Sequence, residues 1–227
     1  MTDMVLQERM VGGQDWATVL FLFALLMVAL AKSTFEGRFA DFSRLIISDK
    51  YNKIYKDGSH LMSWFNISLF AVQVISFSFF IQLVLSYYQA DKQAVYSVKT
   101  DWILFVQIAT LLTVLILSKY LIEKIIATSF KVEEFADQFN LQKVNYRSYI
   151  AVMLLPVTIF LFYTDKLSIM VIYILVVVVL AANLLTYLNS LKIYQNFIIA
   201  KLFYFILYLC TLEIAPYYFI YYWFAKR

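Results

Sequence analysis

"LSIMVIYILVVVVLAANLLTYLNSL", residues 167–191, runs for 25 residues without a charge. As a helix it is about 37 Å long at about 1.5 Å per residue, enough to cross a hydrocarbon core about 30 Å thick. It shows no apolar–polar alternation, so it does not read as a barrel strand. In hydrocarbon the backbone must satisfy its own hydrogen bonds, and a continuous apolar run can do that only as a helix. This run makes the chain a candidate membrane protein, and the rest of the sequence repeats its pattern.

The whole chain has 227 residues, 63% of them hydrophobic and 15% charged. A soluble domain carries about 25% charge and about 45–50% apolar residues. Six runs are long enough or nearly long enough to span: 16–31, 64–88, 102–120, 149–163, 167–188 and 202–224. The expected fold is therefore all-α, a polytopic membrane protein with six transmembrane helices. No stretch is rich in proline, glycine and serine, so residues 1–227 read as a single integral membrane domain. The fourth run is the shortest and contains Pro156, which predicts a kink or tilt there. Ala29 and Ala31 offer a signal-peptidase pattern after the first run. The preceding flank holds Asp3, Glu8 and Asp15 against Arg9, the wrong charge for a leader, so an uncleaved helix is expected.

Basic residues set the expected orientation. On one side of a six-helix chain lie Arg9, Lys92, Lys99, Lys166, Lys226 and Arg227; the other 13 of the 19 lysines and arginines fall in loops one, three and five. That bias predicts those loops in the cytoplasm and both termini in the periplasm of a bacterial inner membrane. Trp16, Trp102 and Trp223 then stand at the outer interface as aromatic anchors.

The first loop opens with Ser33 and Glu36 at capping-box spacing, and Phe35, Phe39, Phe42 and Ile46 follow at helical spacing. These predict an amphipathic helix from Ser33 to about Ile47 in the inner interface. In the third loop Glu133, Glu134 and Asp137 call for water. The third spanning helix is thus expected to run out into the cytoplasm, with a short helix returning. Asp15–Trp16 and Asp101–Trp102 each precede a span, as a capping aspartate followed by an interfacial tryptophan.

Several functions are disfavoured by what the chain lacks. With one histidine, His60, and one cysteine, Cys210, no multi-histidine metal site or internal disulfide is available. No G-x-S-x-G elbow and no H-E-x-x-H pair occurs. The expectation is a protein that is not an enzyme and has no cofactor, metal or nucleic-acid partner. The lipid bilayer and other membrane subunits are its expected partners.

The sharpest local signal is Glu213 in the sixth run, with Pro216 three residues on. Pro216 cannot donate to the Leu212 carbonyl, so an acid and a freed acceptor lie side by side. An ionisable side chain at that depth is expected to face protein rather than lipid. Gln73, Gln107 and Asn183 in other runs are its candidate polar neighbours. Three readings stay open: a structural hydrogen-bonded acid, a docking point for another subunit's helix, and a proton or ion relay.

"QDWATVLFLFALLMVALAKSTFEGRF", residues 14–39, and "LYLCTLEIAPYYFIYYW", residues 207–223, resemble a family of small polytopic membrane proteins of the Bacteroidota catalogued as a domain of unknown function. The shared elements are Asp15–Trp16, the Lys32 to Phe39 entry with Arg38, and Leu212, Glu213 and Pro216 of a Leu-Glu-x-x-Pro core. The resemblance implies six helices and an inner-membrane location, and it implies no activity. It favours a subunit or assembly factor of a larger envelope complex, with that lineage's secretion or gliding machinery as the associated setting. The rival expectation is a small proton- or ion-coupled transporter or channel working through Glu213.

Overall fold

The computed structural model describes residues 14–45, 63–88, 98–129, 133–164 and 169–193. Among them are six helices: α1 (Asp15–Thr34), α2 (Glu36–Ser43), α3 (Trp64–Tyr88), α4 (Trp102–Ser129), α5 (Glu133–Tyr163) and α6 (Ile169–Ile193). A helical turn at 98–100 precedes α4, and no strand occurs among the described residues. Five helices, all but α2, are long and apolar enough to cross a membrane. The expected sixth span, 202–224, lies outside the described residues.

The long helices alternate in direction. The start of α1 meets the start of α4, where the Trp16 and Trp102 rings stand 5.7 Å apart, edge to face. The Thr18 and Tyr163 hydroxyls, 2.6 Å apart, bring the end of α5 to the same level. At the opposite end α2 and the starts of α3 and α5 come together around Phe42, Phe65 and Tyr146. These are called below the tryptophan end and the α2 end. Helix α3 is central, packed against α1, α4 and α5, and α6 leans on α5.

Small residues on α1 let its backbone approach its neighbours. Ala17, Phe21, Ala24 and Ala31 of α1 are all buried. With half-buried Val28 they are spaced four, three, four and three apart, the 3.5-residue period of a knobs-into-holes seam. At the tryptophan end the core is aromatic. Phe79 lies 4.1 Å from Phe21, 4.5 Å from Phe105 and 5.5 Å from Phe162, centroid to centroid. Ala24, Val72 and Leu155 fill the middle, and Phe42, Leu45, Phe65, Leu69 and Tyr146 fill the α2 end.

Two sequence expectations are corrected here. The capping box does not form: Ser33 is still inside α1, and its hydroxyl donates back to the Leu30 carbonyl. The helix breaks at Phe35, and α2 starts at Glu36 without a side-chain cap. Burial of Phe42 and Leu45 against α3 and α5 holds α2 in place instead. The expected end near Ile47 falls outside the described residues.

The second correction concerns α5. In place of a short returning helix and a short fourth span, one 31-residue helix runs from Glu133 through Pro156 to Tyr163. The sequence calls for water at Glu133, Glu134 and Asp137, and Glu133 is exposed; the polar residues that follow are placed differently. Asn140, Gln142, Asn145 and Ser148 are in fact buried between helices. The third helix continues past residue 120, to Ser129, an extension of the kind the sequence predicts.

Candidate intramembrane polar site

Helix α3 carries two polar rows. At about 100° per residue, Asn66, Gln73 and Ser76 lie on one side and Ser78, Gln82 and Ser86 on the other. All six are buried. The first row faces α5. Ser148 Oγ donates to Gln73 Oε1 at 3.3 Å, and Ser76 Oγ donates to the Ala151 carbonyl at 3.0 Å. That carbonyl is one residue before Val152, whose own acceptor loses its usual donor because Pro156 has no N–H.

The second row faces the turn before α4. Gln82 Nε2 donates to the Val98 carbonyl at 2.9 Å and to the Asp101 carbonyl at 2.8 Å. Asp101 Oδ1 accepts from the Ile103 and Leu104 amides, so this aspartate caps α4. Trp16 Nε1 donates to the Thr100 carbonyl at 3.2 Å, and Lys99 Nζ reaches the Thr164 carbonyl at 3.4 Å. One turn of chain is thereby tied to α1, α3 and the end of α5. Trp16, read as an interfacial anchor, is half-buried and stacks on Phe79 at 5.7 Å; Trp102 is exposed.

The α2 end holds two ion pairs. Lys143 Nζ lies 3.6 Å from Glu123 Oε1, with both side chains close to fully buried, and 4.6 Å over the Phe139 ring. Lys124 pairs with Asp137 at 3.3 Å on the outside of the same α4–α5 stem. Arg38 Nη1 donates to Ser63 Oγ at 3.0 Å, and the guanidinium sits 5.1 Å over Phe65. Both polar atoms of the Gln142 amide are buried without a hydrogen bond, as are Ser78 Oγ and Gln82 Oε1.

The described members of the sequence-derived polar set do not converge. Gln73 is buried on α3 and held by Ser148. Asn183, half-buried on α6, turns its amide to the Val179 carbonyl at 2.8 Å. Gln107 is exposed on α4, and its side chain makes no hydrogen bond to a described residue. Glu213, Pro216 and Trp223 lie outside the described residues. Sequence reasoning missed Gln142, Asn145, Ser148 and the Glu123–Lys143 pair. Their signal was polar side chains recurring three apart beside Leu141 and Tyr146, a helical stripe that local sequence cannot tell from a solvated one.

Helix α4 is exposed over most of its surface. Its apolar Phe105 and Ile108 face inward, while Gln107, Thr110 and Ser118 are exposed. Thr110 satisfies itself by bonding the Val106 carbonyl at 2.9 Å.

No curated protein and no solved structure matches the chain. The family described as "Domain of unknown function (DUF4271)" matches residues 17–224, nearly the full length, and the chain belongs to that family.

Proposed function

We propose that the chain is a non-enzymatic subunit or assembly factor of a larger membrane complex, docking through the exposed face of α4. The observation that supports this is Gln107. An amide turned to acyl chains without a partner costs about 1–3 kcal/mol, and polar side chains within a span ordinarily face protein. The bundle interior has room for amides, since it holds Gln73, Gln82 and Gln142. Gln107 is nevertheless outside, where a neighbouring helix would satisfy it. The 13 to six bias of basic residues supports an inner-membrane placement with the α2 end cytoplasmic and the termini periplasmic. In that placement α2 would lie near the inner interface. The resemblance noted from sequence makes a Bacteroidota envelope assembly, such as secretion or gliding machinery, the first setting to test.

The experiment is purification in mild detergent from native membranes, wild type beside Gln107→Leu. A stoichiometric partner, whether another protein or further copies of the chain, is expected with the wild type and is depleted in the variant at equal expression. A chain that runs as one copy, with identical behaviour in Gln107→Leu, defeats the reading.

A further inference from the structure

We infer that Arg147, with Lys119 at the same level, holds the phosphate of an anionic phospholipid at the α2 end of the bundle. The first ground is an arginine without a counter-charge. Arg147 lies in the spanning part of α5, between buried Tyr146 and buried Ser148, and is itself half-buried. It makes no hydrogen bond, ion pair or ring contact with a described residue. A cation within a span ordinarily faces a partner. Helices α3 to α6 offer no acid at that level: α3 and α6 carry none, α4 has none before Glu123, and α5 has none after Asp137. Glu123 lies against Lys143, and Asp137 against Lys124.

The second ground is register and depth. Lys143 and Glu123 meet at 3.6 Å, and α4 and α5 run in opposite directions. One helical turn from that contact toward the tryptophan end stand Lys119 on α4 and Arg147 on α5. Arg147 is 16 residues from Tyr163, about 24 Å at about 1.5 Å per residue, and Lys119 is 17 from Trp102, about 26 Å. In a hydrocarbon core about 30 Å thick both stand about 5 Å inside the boundary, where long basic side chains reach the headgroup level. Glu213, the acid expected in the sixth run, is 11 residues from either end of that run, about 17 Å, and so about 11 Å deeper.

The third ground is chemistry. A guanidinium donates two parallel hydrogen bonds to phosphate oxygens, and an ammonium adds a point charge. Basic pockets between spanning helices bind lipid head groups in this way. Leu115 and Leu111, one and two turns from Lys119 toward the middle of the core, are exposed and give an acyl chain apolar surface to lie along. A free phosphate ion gains nothing from that surface, so the lipid is the occupant.

The test places the full chain in phosphatidylcholine vesicles doped with pyrene-labelled phosphatidylglycerol and reads energy transfer from the protein's tryptophans to the label. The wild type is expected to gather this lipid in preference to pyrene-labelled phosphatidylcholine; equal transfer to the two overturns the inference, whatever the variants do. Arg147→Gln should weaken the relative affinity for the anionic lipid by about 10- to 100-fold, the range of a hydrogen bond to a charged group. Arg147→Lys keeps the charge without the fork and should fall between. Lys32→Gln, the same loss of charge at an exposed site of the same end, should leave the affinity unchanged. Equal losses in Lys32→Gln and Arg147→Gln overturn a site in favour of diffuse attraction. Displacement by inorganic phosphate as effective as by unlabelled phosphatidylglycerol overturns the lipid as occupant. A preference that appears only in Glu213→Gln overturns it too, and gives Arg147 to that carboxylate.

Discussion

Helices α3 and α4 have similar composition and opposite placement. Both are long apolar helices, α3 punctuated by asparagine, glutamine and serine and α4 by glutamine, threonine and serine. Half of the spanning window of α3 is buried, with Gln73, Ser76 and Gln82 turned into the protein; only 6% of the α4 window is buried, with Gln107, Thr110 and Ser118 exposed. Between lipid-bathed helices there is no hydrophobic drive to associate, so packing and hydrogen bonds decide which face meets which. On that principle α3 is the completed case. Gln73 and Gln82 each have hydrogen-bonding partners on another part of the chain. On the α4 face Gln107 is exposed, and its side chain makes no hydrogen bond to a described residue.

The comparison breaks first at the aromatic core. Phe79 is buried among Trp16, Phe21, Phe105 and Phe162, so Phe79→Ala leaves a cavity no neighbour can close. The expected loss is about 3–5 kcal/mol, nearer the lower figure because lipid, unlike water, does not penalise the unfolded apolar side chain. Reversible unfolding in mixed micelles measures it; a loss below about 1 kcal/mol would mean α3 is not the core helix.

Next comes the buried pair. Lys143→Met removes the cation 3.6 Å from the buried Glu123 carboxylate, expected to destabilise by about 3 kcal/mol or more. Adding Glu123→Leu should recover most of that loss, because the buried carboxylate goes with its cation. If the double variant is no better than the single, the pair is not the closed contact the 3.6 Å separation indicates.

A smaller effect sharpens the contrast between the two glutamine sites. Gln73→Leu removes the acceptor for Ser148 inside the bundle and should cost about 0.6–2 kcal/mol of fold stability. Gln107→Leu should change fold stability by less than about 0.5 kcal/mol, as surface substitutions do, while depleting the bound partner. Equal effects of the two on unfolding would erase the distinction between an internal seam and an external one.

Much of the fold was legible locally. The helix at 64–88 and the start at Trp102 match the apolar runs read from sequence, and the Asp101 cap was visible in its dipeptide. The beginning of α5 was not. Gln142, Asn145 and Ser148 resemble a wet loop until α3 is alongside, and the Gln73–Ser148 contact joins residues 75 apart. Trp16 likewise looks interfacial in its own segment. Its stacking on Phe79 and its bond to the Thr100 carbonyl depend on two other helices. Of the candidate site, the residue types were readable and their directions were not.

The sequence by itself determined that this chain is helical and belongs in a membrane, because uncharged runs of that length leave no other way to satisfy a backbone in hydrocarbon. It also placed the charges at the ends of the runs. Only the tertiary structure decided which polar side chains are enclosed and which stand outside. Helical period assigns a residue to a face, while burial depends on which neighbour that face meets, and the neighbours are set by side-chain shapes far apart in the chain. Gln73 and Gln107 are the same residue in similar surroundings of sequence; a serine on α5 lies opposite one, and no described residue bonds the other.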